Sequence, residues 1–169
     1  MKKIFLTILL ILTGTAIYAQ DKEKPLTTRP LNNINLNFLG DMSFISLDYE
    51  RLLIGGQIFL LTAKLGVGYT DEIIMAGTHD NNTKYLTVPH HITANIGKKR
   101  HFAEIGLGGT AFLGQETTGY MLYPIVGYRL QPLKTNNIDL RVYFNYPFET
   151  NYNVSIEAAV FGVCVGVSF

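Results

Sequence analysis

Residues 160–169 read VFGVCVGVSF, and this stretch decides the fold. Phe161, Val163, Val165, Val167 and Phe169 are apolar, while Gly162, Cys164, Gly166 and Ser168 between them are small. Successive side chains of a strand point to opposite faces, so a period of two is a β-strand with one apolar face. Ala159 continues that face backward, and the strand is expected over 156–169. An apolar strand that ends on an aromatic with no polar tail is a poor edge to leave in water. The stretch therefore predicts a strand held in a closed sheet, with its apolar face away from water.

The same period recurs through the chain. Residues 33–39 set Asn33, Asn35 and Asn37 against Ile34, Leu36 and Phe38, and residues 43–51 set Ser46, Asp48 and Glu50 against Ile45, Leu47 and Tyr49. Over 58–70, Thr62, Lys64, Gly66 and Gly68 oppose Leu61, Ala63, Leu65, Val67 and Tyr69. Over 84–97, Thr87, His91, Thr93 and Asn95 oppose Leu86, Val88, Ile92, Ala94 and Ile96. Residues 101–113 set Glu104, Gly106, Gly108 and Thr110 against Ala103, Ile105, Leu107 and Ala111. In 119–131, Leu122, Val126, Tyr128 and Leu130 oppose Gly127 and Arg129. In 138–146, Asp139, Arg141, Tyr143 and Asn145 oppose Ile138, Leu140, Val142, Phe144 and Tyr146. The fold class is all-β: eight strands of an antiparallel up-and-down barrel.

The connections alternate in length. Segments 52–57, 98–100 and 131–137 are short and carry Gly, Lys, Pro and Asn as turn formers. Segments 71–83, 114–118 and 147–155 lie at the other rim, where residues 40–42 close the first hairpin. Short turns on one rim and longer loops on the other are the asymmetry of a transmembrane β-barrel. Several predicted strands also exceed the ~9–11 residues that a tilted strand needs to cross a bilayer. Aromatics on the apolar face fall in two bands: Tyr49, Phe59, Tyr128 and Phe169 near the short turns, and Phe38, Tyr69, Tyr120 and Tyr146 near the loops. Rings with a polar tip suit the headgroup level.

The N-terminus reads as a targeting segment. Met1, Lys2 and Lys3 make a positive start, Ile4 to Leu12 is an apolar run, and smaller, more polar residues lead to Ala19 and Gln20. Residues 1–19 are expected to be a signal peptide cut after Ala19, although Ile17 departs from the usual small residue there. The apolar run is too short to be a spanning helix. Residues 20–30 then form a periplasmic N-terminal segment and residues 31–169 the outer-membrane barrel domain. The net charge of +1 offers nothing to attract a nucleic acid. The single cysteine, Cys164, has no intramolecular partner and reads as a small strand residue.

On these strands, girdles and the Phe169 ending, the chain resembles the small eight-stranded outer-membrane barrels of the OmpA and OmpX type. The resemblance implies export to the cell outer membrane and insertion by the barrel-assembly machinery, with Phe169 as the assembly signal. Outer-membrane lipid would then be the partner of the apolar face. It implies a structural or surface-interaction role without catalysis or cofactor. The alternative with the same alternation is a soluble periplasmic lipocalin-like barrel, apolar inside and polar outside, holding a small apolar ligand.

If the apolar face is outside, the lumen collects Asp48, Glu50, Lys64, His91, Glu104, Arg129, Asp139 and Arg141. Eight strands leave an interior filled by side chains, so these charges are expected to pair into a plug; the alternative is a narrow gated path. A catalytic alternative lies at the fourth hairpin. A two-residue turn at Lys98 and Lys99 would set Thr93 opposite Glu104 with His91 diagonal to both, placing hydroxyl, imidazole and carboxylate on one face. Lipid A deacylases have a broadly similar His, Ser and Glu set on an eight-stranded barrel, but here the hydroxyl is a threonine and the set points into the lumen. His90 and His91, being adjacent, cannot share a metal; His79 and Asp80 lack a third ligand, and no metal site is expected. Lys98, Lys99 and Arg100 form a basic turn, read as solvated.

Overall fold

The computed structural model describes residues 29–71, 84–114, 118–133, 137–146, 148 and 161–169. The expected signal peptide, most of the 20–30 segment, His79 and Asp80, and the bulk of the loops 71–83 and 147–155 lie outside these residues.

Eight strands close into one antiparallel barrel in sequence order. They are β1 (Asn32–Phe38), β2 (Ile45–Gly55), β3 (Phe59–Asp71), β4 (Lys84–Lys98), β5 (His101–Leu113), β6 (Thr118–Leu130), β7 (Ile138–Asn145) and β8 (Phe161–Ser168). Closure is made by β1 against β8, from Asn33 opposite Ser168 to Phe38 opposite Val163. Beyond the last rung, Phe169 and Asn32 exchange backbone hydrogen bonds at 3.0 and 3.2 Å, so the terminal residue is stitched into the seam.

The alternation sorts as expected. Leu47, Leu65, Val67, Ile92, Ile105, Leu107, Val126, Phe144 and Val167 all point outward and are more than half exposed. All eight aromatics of the two expected bands are also on the outer face. The polar set faces inward: Asp48, Glu50, Lys64, His91, Glu104, Arg129, Asp139 and Arg141 are each at most 4% exposed. An apolar-lined barrel, the lipocalin-like alternative, has the opposite orientation and is not what this chain builds.

Two elements differ from expectation. Strand β2 runs on to Gly55 rather than ending at Arg51, because its register with β3 shifts between Leu52 and Ile54. Such a bulge adds a residue and breaks the clean alternation that marks a strand in sequence. The β4–β5 turn is Lys99–Arg100, with Lys98 paired to His101, not Lys98–Lys99. Gly97 therefore faces Phe102, and a side chain there would overlap the His101 carbonyl and the Phe102 backbone. Lys99 takes φ 57° to close the turn. Arg100, half-buried, donates to the carbonyls of Gln131 (3.2 Å) and Ile138 (3.0 Å), tying this turn to the β6–β7 connection.

Candidate functional site

Inward-facing glycines make room for the large polar side chains of the interior. Asp48 lies over Gly66, and Tyr143 lies over Gly127 and Gly162. In the space so opened, the polar side chains form two linked clusters, capped at each end by apolar residues.

The cluster nearer the short-turn rim is an arginine–carboxylate ladder. Arg129 binds Asp139 through Nε (3.2 Å) and Nη2, and also reaches Glu50. Arg141 binds Glu104 in the same fork geometry, with Nε at 2.9 Å from Oε2, and donates from Nη1 to Glu50 Oε2 at 3.3 Å. Glu50 thus bridges the two guanidinium groups. Each arginine has a bidentate carboxylate of its own, the geometry that best offsets the desolvation of a buried pair. Leu60 and Phe102 lie below this ladder, fully buried. The Arg29 guanidinium stacks over the Phe102 ring at 5.0 Å and donates to the Lys99 carbonyl at 2.6 Å, closing that mouth.

The second cluster centres on a residue outside the expected lumen set, Asp41. The β1–β2 connection, residues 39–44, turns into the barrel, so that Gly40, Asp41, Met42 and Ser43 are all buried. Asp41 Oδ2 receives Lys64 Nζ at 2.6 Å; Oδ1 receives the Tyr143 hydroxyl at 2.6 Å and lies 2.9 Å from His91 Nε2. The Asp41 carbonyl accepts from Thr110 Oγ1 at 2.7 Å. Asp48 shares Lys64 at 3.3 Å and accepts from Asn37. Met42 packs with Phe112, Met121, Tyr123 and Tyr143 as the apolar cap on this side.

The possible catalytic set does not assemble. Glu104 stands opposite Asn95, and Thr93 opposite Gly106, two residues from the expected pairing. Glu104 is held by Arg141 and the Thr93 hydroxyl by Thr62 at 2.8 Å, while His91 meets Asp41 and Tyr123. A slip of two residues leaves every side chain on its own face, so alternation cannot distinguish the two registers. The sequence carries no sign of Asp41, because Gly40-Asp41 reads as an ordinary surface turn. His90 points outward, stacked on Tyr120 with Nε2 at 2.8 Å from the hydroxyl. Cys164 is fully buried among the inward residues. Among the described residues no three His, Cys, Asp or Glu side chains are grouped to hold a metal ion.

Fold and site together define a closed eight-stranded antiparallel β-barrel with a buried, charged interior. Comparison with known protein families, curated proteins and solved structures gave no match.

Proposed function

We propose that this chain is an integral outer-membrane β-barrel of the small OmpA or OmpX type, exported by the signal peptide of residues 1–19, with a structural or surface-interaction role. The observation that carries the reading is the inverted distribution of polarity. A continuous outer belt of Leu, Ile, Val and Phe encloses buried Asp, Glu, Lys and Arg, and so large an apolar surface marks contact with a membrane or a partner. It runs round a barrel with no free edge, which suits lipid on all sides. The paired arginine ladder and the capped mouths support a plug rather than a wide channel. The separate engagement of His91, Thr93 and Glu104 supports a non-enzymatic role.

The test is fractionation of the expressed full-length chain, followed by gel migration with and without boiling. Recovery with outer membranes, extraction by detergent alone and a heat-dependent shift in mobility are the expected results. Recovery in the soluble periplasmic fraction would overturn the membrane reading and make the outer belt a protein–protein surface.

A further inference from the structure

The carboxylate of Asp41 is held the way a receptor holds a ligand. Its donors come from the barrel wall: Lys64 on β3, His91 on β4 and Tyr143 on β7, with Thr110 of β5 on the adjoining carbonyl. They divide between the two oxygens, Tyr143 and His91 at Oδ1 and Lys64 at Oδ2. Two-oxygen recognition suits a carboxylate rather than a halide. The acceptor comes from the short connection 39–44, in which Leu39, Asp41 and Met42 all have φ between 54° and 60°. Residues other than glycine rarely adopt that conformation, and a loop held in it has reason to leave when its anchor is replaced. Within the loop the anchor is followed by an apolar side chain, Met42, which belongs to the buried apolar cluster that includes Phe112, Met121 and Tyr123. Asp41 and Met42 together therefore fill a site with one anion-binding end and one apolar end.

We propose that this site binds a small carboxylate with a short apolar tail, and that the β1–β2 loop is its tethered occupant, displaced when such an acid enters. Asp48 can neutralise Lys64 when Asp41 leaves, but it does not reach His91 or Tyr143, which remain aimed at an incoming carboxylate. The proposal concerns the interior and does not depend on what surrounds the outer belt.

The test uses the full chain in detergent with butyrate as the probe and butanol plus sodium chloride as the control. Asp41→Ala is expected to lower the thermal midpoint, and butyrate to raise it again saturably, further than acetate does and further than in the unsubstituted protein. Adding Tyr143→Phe should weaken that butyrate response about tenfold, the loss of one hydrogen bond to a charged group. In the unsubstituted protein, saturating butyrate should speed amide hydrogen exchange across residues 39–44 while leaving β3 and β4 protected. Should Asp41→Ala not fold, Asp41→Asn and the exchange experiment decide. A response to butyrate no larger than to the control, or unchanged exchange in the loop, would overturn the proposal.

Discussion

Replacing Glu104 by Gln tests whether the arginine ladder is a plug of matched charges. Glu104 and Arg141 are at most 2% exposed, so solvent does not soften the loss. The substitution removes the charge and one of the two acceptors facing Arg141, and leaves Glu50, through one hydrogen bond of 3.3 Å, as its remaining carboxylate. Removing one member of a buried pair costs about 3–5 kcal/mol, and the remaining Glu50 contact places this variant at the lower end of that range. Glu50→Gln should cost less, about 1–2 kcal/mol, because Arg129 keeps Asp139 and Arg141 keeps Glu104. The double variant Glu104→Gln with Arg141→Met has no unpaired charge left in the pair. It should recover part of the loss, with a coupling energy on the order of 2 kcal/mol. Urea unfolding of the refolded protein measures these three and Arg141→Met alone, which closes the cycle; the chain has 10 tyrosines and no tryptophan, so tyrosine fluorescence is the probe. Glu104→Gln costing no more than Glu50→Gln, or strict additivity in the double variant, would refute the pairing described here.

The outer belt makes a second prediction. Val67→Arg should cost about 2–4 kcal/mol in a bilayer or block insertion, whereas an equally exposed site on a water-soluble barrel would tolerate it; vesicle refolding yields decide between them. Cys164 should resist maleimide labelling in the folded protein and react fully in urea, since it is buried inside the barrel; labelling in the native state would contradict that placement. Gly97→Ala should destabilise by about 1–3 kcal/mol, because the overlap is with the backbone of His101 and Phe102 and no side-chain rotation relieves it; a neutral result in urea unfolding would argue for another turn register. Thr93→Ala removes one buried hydroxyl pair with Thr62 and should cost about 1 kcal/mol, with no change in ester hydrolysis of added lipid.

Side-chain orientation was legible in the sequence, from Asn33 on β1 to Ser168 on β8, because a strand's period of two leaves each residue one choice of face. So was the strand count, since each apolar run is bounded by turn formers such as Lys98–Arg100 or a polar loop. From those two readings came the composition of the interior: Asp48, Glu50, Lys64, His91, Glu104, Arg129, Asp139 and Arg141 all face inward. Which of them touch was not legible. Pairing depends on register, and the β4–β5 register differs by two residues from the simplest turn while keeping the same faces, so Glu104 meets Arg141 rather than lying beside Thr93. The strand extension past Arg51 escaped for a related reason, as the bulge in β2 interrupts the period itself.

Asp41 marks the boundary most clearly. Nothing local distinguishes a Gly-Asp turn that lies in solvent from one that folds into a barrel. Its place is set by partners distant in sequence, Lys64, His91, Thr110 and Tyr143, which converge only once β3, β4, β5 and β7 have closed around it. The sequence by itself determined the strands and their faces, because these follow from backbone geometry and hydrophobic period. Tertiary structure alone decided the pairing of charges and the inward fold of the first loop, because both arise from contacts between residues that barrel closure brings together.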